Sequence, residues 1–150
     1  MAYSAPHIPL QEPQEWLELY SSIADSSRRA YAAAMSHMDH GIGKVLQKLK
    51  QTQRAENTVI LFISDNGAQE QWIPTTQYEG KYGPNYTLGS NLPLRDFKTS
   101  NYEGALRVPA IFSWPKLNAK GSSSNYISVS DWMPTFLQWA QATAIPPSVE

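Results

Sequence analysis

Cysteine is absent from the 150-residue sequence, which excludes disulfide bonds and thiolate metal sites. An excess of charge of one sign is absent too, because the sequence has twelve basic and thirteen acidic residues and therefore a net charge of −1. We therefore expect neither nucleic acid nor an anionic membrane as a partner. No apolar run approaches the roughly eighteen residues of a membrane-spanning helix. The first residues lack the charged and apolar regions of a signal peptide, so we expect none in this chain.

The residues that are present are those of a globular domain. The composition is 41% hydrophobic, 11% aromatic and 17% charged, which is unlike that of a disordered chain. A chain of this length can bury roughly two-thirds of the surface that it exposes when unfolded. The length of the chain is therefore that of a single domain.

A long amphipathic helix is the clearest local prediction, from about residue 27 to residue 50, with Ser26-Ser27 as the N-cap. It would bury one apolar stripe with three-and-four spacing, formed by Tyr31, Ala34, Met35, Met38, Ile42, Val45, Leu46 and Leu49. His37 and His40 fall on the polar face, where we expect both to be solvated. Two more helices are predicted, over about 14–20 and from Ser130 or Asp131 to about Thr143.

Two strands are predicted on either side of a long irregular segment. The first, 58–64, is a continuous β-branched and aromatic run that suits a strand buried on both faces. The second, 106–115, contains Pro109, which confines it to an edge or forces a bulge. Residues 67–100 show little periodicity, and irregular stretches of that length often line a site. This order of elements predicts an α/β sandwich with a mostly parallel sheet flanked by helices.

A carboxylate and a carboxamide, Asp65 and Asn66, follow the first predicted strand directly. Ligands bind outside the carboxyl ends of strands in open α/β sheets, and two oxygen ligands suit a hard cation such as Ca²⁺ or Mg²⁺. Two side chains are only part of a site, because Ca²⁺ takes about six to eight ligands. The alternative is a hairpin turn, since the Asn66-Gly67 pair favours type I′.

His7 and Lys98 are two further candidates for chemistry. His7 lies between Pro6 and Pro9, which would hold its ring stiffly, as contact with a substrate requires. Lys98 belongs to a segment with several charges, which could clamp an anionic group at the edge of the sheet: Arg95, Lys98, Glu103 and Arg107. The alternatives are an ordinary loop histidine, an ordinary surface lysine and a structural Glu103–Arg107 pair.

Four segments, in order along the chain, together resemble the sulfatase family, closest to its arylsulfatase B (N-acetylgalactosamine-4-sulfatase) type. They are "YSAPHIPLQEP", "YAAAMSHMDHGIGKVLQKLK", "NTVILFISDNGA" and "NLPLRDFKTSNYEGALRVPAIF", the last followed by "ISVSDWMPTFLQWA". They are similar to the family's histidine-bearing strand end, the next helix, the metal-binding strand and the segment around its sulfate-contacting lysine. The resemblance spans nearly all of the chain and implies a partial alkaline-phosphatase-like sandwich.

The resemblance implies a role for each candidate residue. Asp65 and Asn66 would be two ligands of a Ca²⁺ ion that holds sulfate oxygens. His7 and Lys98 would contact the sulfate and the departing alcohol oxygen, where a lysine stabilises developing charge and a histidine donates a proton. Family enzymes attack sulfur with the hydrate of a formylglycine, made from cysteine or serine in a C/S-x-P-x-R motif, and the covalent sulfate leaves by elimination.

The sequence departs from the family pattern at the nucleophile. No cysteine is present, and the only Ser-x-Pro, Ser4-Ala5-Pro6, lacks the following arginine. The family's N-terminal aspartate pair and its Gly-Lys-x-His segment are missing too. We therefore expect residues 1–150 to be an internal fragment of a catalytic domain, without nucleophile segment and C-terminal subdomain, and inert alone. Near Lys98, Asp96-Phe97 and Leu92 replace a glycine-rich pair and a common tryptophan, which leaves substrate specificity open.

Two other functions stay open at this point. A phosphatase or phosphodiesterase of the alkaline-phosphatase superfamily would usually bind two transition metals through Asp and His ligands, whereas Asp65 and Asn66 offer only oxygen. A non-catalytic module would bind sulfated glycans. For a sulfatase, the resemblance implies a sulfated carbohydrate or an aryl sulfate as the substrate, and a secreted, lysosomal or periplasmic location.

Overall fold

The computed structural model describes residues 1–73, 76–117 and 120–142. The chain divides into two compact units, Met1–Asn118 and Ala119–Glu150. The first unit contains the helices α1 (Gln14–Glu18), α2 (Ser26–Gln51) and α3 (Glu103–Leu106) and the strands β1 (Ile60–Ile63) and β2 (Ala110–Ser113). The second contains α4 (Trp132–Trp139). Short 3₁₀ helices lie at Ala55–Asn57, Gln77–Gly80, Pro115–Leu117 and Val129–Asp131.

Helix α2 extends one residue beyond each end of the predicted range. It begins after Asp25, whose carboxylate accepts a hydrogen bond of 2.7 Å from the backbone N–H of Arg28. The N-cap is therefore Asp25, directly before the predicted Ser26-Ser27. Lys48 and Lys50 occupy the last turn, where positive charge complements the helix dipole.

Helix α1 and the residue Glu12 just before it contact α2 through an aromatic stack and a side-chain hydrogen bond. The Trp16 ring stacks on the His37 ring with 4.6 Å between centroids, and Nδ1 of His37 lies 2.7 Å from a carboxylate oxygen of Glu12. His40 remains exposed but also touches Trp16, at 5.4 Å between centroids. The His37 side chain nevertheless remains 44% exposed, so the prediction that it is solvated is met in part.

The predicted apolar stripe of α2 is only partly buried. Ala34 is buried, as predicted, whereas Met35 and Leu46 remain 38% and 37% exposed. Among the described helices and strands, α2 packs against α1 and the 3₁₀ helix Ala55–Asn57, while Tyr31 near its start packs against the irregular segment. These two short elements cannot cover a stripe that runs the length of the helix, so much of the predicted burial is not achieved.

Strands β1 and β2 form an antiparallel pair in which Ile60 faces Ser113 and Ile63 faces Ala110. Each strand has one neighbour among the described residues, and Ile63 is 37% exposed. The prediction of parallel pairing, with a first strand buried on both faces, is therefore not met in the described sheet. Pro109 directly precedes β2, so its missing N–H removes no ladder hydrogen bond, as expected for an edge position. The helices and this small sheet fit a partial α/β sandwich.

A buried hydrophobic cluster of the first unit is formed in part by the irregular segment, 67–100. It consists of Ile8, Trp72 and Leu88, with Leu10, Tyr31 and Tyr82 packed against them. Two parts of the segment pair through backbone hydrogen bonds, with Trp72 and Asn85 exchanging two of 2.7 Å. The predicted loop is thus partly ordered by its own backbone pairing, directly after β1.

The second unit contains the last predicted helix. Ser128 caps the 3₁₀ helix Val129–Asp131 in a capping box with Asp131, and α4 follows. The start of the helical segment was therefore predicted to within a few residues, whereas the predicted end at Thr143 lies outside the described residues. In the described ranges, no helix has the length and hydropathy needed to span a bilayer.

Candidate active site

The end of β1 is held against α3 by direct backbone contact. The N–H of Gly67 donates a 2.8 Å hydrogen bond to the carbonyl of Ala105. A Cβ on Gly67 would lie 2.8 Å from the carbonyl carbon of Gly104, and one on Gly104 would lie 2.7 Å from the carbonyl carbon of Asp96. Three backbone segments therefore stack without side chains between them, and the positions of both glycines exclude any larger residue.

The stacked backbones exclude the hairpin alternative for Asn66-Gly67. A type I′ turn requires positive φ at both central residues, and neither residue has one. The strand that pairs with β1 is β2, and the residues directly after Gly67 pair elsewhere. Gly67 is present because of the close approach to Gly104, and the chain leaves the sheet at this point.

Asn91 clamps the residue that follows Gly67. Its side-chain oxygen accepts from the N–H of Ala68 and its amide nitrogen donates to the carbonyl of Ala68, both at 2.8 Å. The same carbonyl accepts a 3.1 Å hydrogen bond from the backbone N–H of Lys98. The structure thus holds the backbone of Lys98 to Ala68, two positions after Asn66, and brings two predicted site segments together.

Asp65 and Asn66 lie at the tip of β1 with their side chains available. Asp65 is exposed and Asn66 is half-buried, and in the described ranges neither side chain forms a hydrogen bond or an ion pair. The Ser64 hydroxyl donates a 2.8 Å hydrogen bond to the Asn66 carbonyl, which stabilises the bend. A carboxylate and a carboxamide oxygen fit a hard cation, but they provide two of its six to eight ligands.

No further ligands converge on this pair in the part of the chain that the structure describes. There, no three His, Cys, Asp or Glu side chains form a group that could hold a metal ion. Asp65 and Asn66 therefore provide two oxygen ligands of a calcium-type site, and neither is one of the nitrogen ligands that transition metals favour.

His7 is exposed, and its ring is oriented by its own loop. Nδ1 lies 2.6 Å from the carbonyl oxygen of Ile8, and since a carbonyl only accepts, Nδ1 carries the hydrogen. The adjacent Ile8 packs in the core cluster with Trp72 and Leu88. No hydrogen bond or ion pair in the described residues joins His7 to Asp65, Asn66 or Lys98. The loop orients His7, but no described contact links it to the other three residues.

The charged segment around Lys98 divides into two pairs. Arg107 and Glu103 form an exposed ion pair of 3.4 Å, which confirms the structural alternative for these residues and contributes little stability. Arg95 instead lies over the ring of Tyr102, with 3.6 Å from its guanidinium carbon to the ring centroid. Sequence reasoning named Arg95 among the cations but missed Tyr102, Gly104 and Asn91.

A family model described as Sulfatase matches residues 1–142. The chain belongs to the sulfatase family. Over 142 residues it is 36% identical to arylsulfatase J of Mus musculus, an alignment that covers 94% of this sulfatase chain and 21% of that protein. It is 32% identical over 148 residues to N-acetylgalactosamine-6-sulfatase of Homo sapiens, covering 98% of this chain and 25% of that one.

The solved structures agree with the sequence comparison. The crystal structure of Ps i-CgsB matches with a TM-score of 0.79 and 35% identity, over 96% of this chain and 29% of that one. Its complex with k-i-k-neocarrahexaose matches with a TM-score of 0.78 and 34% identity, over 94% of this chain and 28% of that one. The predicted family and the partial alkaline-phosphatase-like α/β fold are confirmed. Sulfatases generally use a divalent metal. This chain spans under a third of the length of each of these relatives.

Proposed function

We propose that this chain is part of the catalytic domain of a sulfuric ester hydrolase that acts on sulfated carbohydrates. Membership of the sulfatase family supports the reaction class. The carbohydrate is supported by two matches, an N-acetylgalactosamine-6-sulfatase and a structure in complex with k-i-k-neocarrahexaose. Aryl sulfates are the second candidate substrate class, supported by the match to arylsulfatase J.

One contact supports the proposed site most directly, the hydrogen bond of 3.1 Å from the N–H of Lys98 to the carbonyl of Ala68. It holds the backbone of a lysine close to the carboxylate and carboxamide at the end of β1. With a cation held by Asp65 and Asn66, this arrangement would offer positive charge to the sulfate oxygens from more than one direction. The lysine is half-buried, so solvent screens its charge less than that of a fully exposed lysine.

Each residue of the proposed site has its own role. Asp65 and Asn66 would hold Ca²⁺, whose positive charge would polarise the sulfate oxygens. Lys98 would neutralise charge that develops on the transferred group. His7 donates through Nδ1 to Ile8, so Nε2 is the ring nitrogen available to the substrate. In the protonated ring, Nε2 could pass a proton to the departing alcohol oxygen.

We also propose that this chain is one part of a longer protein. Residues 1–150 would be a partial catalytic domain, and the nucleophile and the remaining metal ligands would be supplied by other parts of a longer chain. Secretion, or a lysosomal or periplasmic location, is the corresponding cellular context. The 150-residue chain alone would then be inactive on sulfate esters.

The test compares the isolated chain with a longer protein that contains it and carries a C/S-x-P-x-R motif. We expect sulfate release from a sulfated oligosaccharide and from 4-nitrophenyl sulfate by the longer protein only. Lys98→Ala in the longer protein should lower kcat/KM about 100-fold. Lys44→Ala, which removes an exposed lysine of α2, is the matched control and should leave the rate unchanged.

Three outcomes would contradict the proposal. Sulfate release by the isolated chain would show that its own residues supply a nucleophile. Hydrolysis of bis(4-nitrophenyl) phosphate with Zn²⁺, without sulfate release, would assign the longer protein to the phosphodiesterases. Binding of a sulfated glycan by a longer protein that hydrolyses neither ester would assign a non-catalytic role.

A further inference from the structure

The guanidinium of an exposed arginine lies over an aromatic ring close to the proposed site. The guanidinium carbon of Arg95 is 3.6 Å from the centroid of the Tyr102 ring, a distance typical of a cation–π stack. Both residues are exposed, and Tyr102 exposes 43% of its surface. Contact with a ring is not a conventional hydrogen bond, so it leaves the five N–H donors of the guanidinium without an acceptor.

The N–H groups of Arg95 have no partner among the described residues. Three of the four other arginines use theirs internally. Arg29 donates to the carbonyl of Ile23 at 2.6 and 2.8 Å, Arg28 donates to the carbonyl of Leu88, and Arg107 pairs with Glu103. In the described ranges, the Arg95 side chain forms no hydrogen bond and no ion pair, and its recorded contact is the Tyr102 ring. Its capacity to bind an anion is therefore unused.

The backbone of Arg95 is fixed to the same scaffold as the proposed site. Its carbonyl accepts a 2.8 Å hydrogen bond from the N–H of Gly104, and Gly104 lies against Gly67. Lys98 follows three positions later and is bonded to Ala68. Three residues span at most about 11 Å, so the backbone of Arg95 lies within that distance of the backbone of Lys98.

We propose that Arg95, oriented by the Tyr102 ring, is an anion subsite that binds a second sulfate group of a polysulfated carbohydrate substrate. The planar fork of a guanidinium matches two oxygens of a sulfate group, and stacking reduces the rotamer entropy lost on binding. This inference rests on the proposed function, whose site binds the sulfate that is cleaved. It adds a residue that selects substrates with more than one sulfate group.

The experiment measures binding of dextran sulfate oligosaccharides to the 150-residue chain by isothermal titration calorimetry, with neutral dextran of the same length as the reference. We expect binding of dextran sulfate, no binding of dextran, and an affinity about tenfold lower in Arg95→Ala. Arg54→Ala removes an exposed arginine beyond the end of α2 and should retain the wild-type affinity. Tyr102→Ala should lower the affinity, whereas Tyr102→Phe, which keeps the ring, should not.

Melting curves followed by circular dichroism show whether each variant is folded. If Arg95→Ala does not fold, Arg95→Lys takes its place in the same comparison, because lysine keeps the charge but lacks the fork; its affinity should be lower than that of Arg54→Ala. Equal affinities of Arg95→Ala and Arg54→Ala would overturn the subsite, as would binding of neutral dextran. The calorimetry does not depend on catalysis, so an inactive longer protein would contradict the proposed function alone.

Discussion

The backbones of Gly67 and Gly104 are in direct contact, and this contact fixes the end of β1 against the segment that contains Arg95 and Lys98. A Cβ on Gly67 would overlap the carbonyl group of Gly104, at 2.8 Å from its carbon. The N–H of Gly67 also bonds to the carbonyl of Ala105 at 2.8 Å. The position of Asp65 and Asn66 relative to Lys98 therefore depends on two residues without side chains.

Gly67→Ala should lower the free energy of unfolding by about 3 kcal/mol, because the added methyl group forces two hydrogen-bonded backbones apart. Urea unfolding of the 150-residue chain, followed by circular dichroism, measures the change. Gly43→Ala is the matched control. A Cβ on Gly43 meets no atom within 4 Å, and replacing a helical glycine by alanine should stabilise α2 by about 1 kcal/mol. Equal effects of the two substitutions would contradict the close contact.

The elements that the sequence predicted best are those determined by near neighbours. Helix α2 follows from contacts three and four positions apart, so its ends at Ser26 and Gln51 lie one residue from the predicted ones. The polar tip of β1 is likewise local, because the apolar run stops at Ile63 and Asp65 and Asn66 come directly after it.

The elements that the sequence did not predict depend on distant partners. Asn91 acts on Ala68 from 23 positions away, and Glu12 reaches His37 across 25 positions. The residues next to Asn91 and Glu12 in the sequence show no pattern that predicts these contacts. The pairing of β1 with β2 is of the same kind, because an apolar run indicates a strand but does not indicate its direction relative to the neighbour.

Asn91→Ala should destabilise the proposed site more than the helices. The substitution removes both side-chain hydrogen bonds to Ala68, whose N–H then loses its described partner, at a cost of about 2 kcal/mol. Amide hydrogen exchange should become faster at Ala68 and Lys98 and remain unchanged within α2. Asn101→Ala, at an exposed position, is the control and should change the stability by less than about 0.5 kcal/mol. Uniformly faster exchange in α2 would contradict a local role for Asn91.

The stability of the chain should decrease at alkaline pH because of Tyr31. Burial raises the pKa of Tyr31 above its usual value of 10.0, and the nearby Arg28 opposes this effect only in part. The unfolded chain therefore releases the phenolic proton at a lower pH than the folded chain does. The free energy of unfolding that Tyr31 contributes is complete below pH 10 and is lost as the pH rises from there through the folded pKa.

Tyr31→Phe keeps the ring and removes this titration. Urea unfolding between pH 8 and about pH 11 should show a smaller decrease in stability for Tyr31→Phe than for the wild type. Tyr126→Phe is the control, because Tyr126 is 96% exposed, and its pH dependence should match that of the wild type. A decrease as steep in Tyr31→Phe as in the wild type would assign the alkaline effect to other groups.

Asp65 and Asn66 should give the isolated chain a weak affinity for Ca²⁺. They supply two of the six to eight oxygen ligands that Ca²⁺ takes, so the Kd should be no tighter than about 1 mM. In a titration of the ¹⁵N-labelled chain with CaCl₂, the amide shifts should be confined to the residues around Asp65 and Asn66. Asp65→Asn should abolish them, because it removes the only charged ligand of the pair, whereas Asp39→Asn, at an exposed position of α2, should not. Micromolar affinity, or shifts that persist in Asp65→Asn, would show that Ca²⁺ binds elsewhere on the chain.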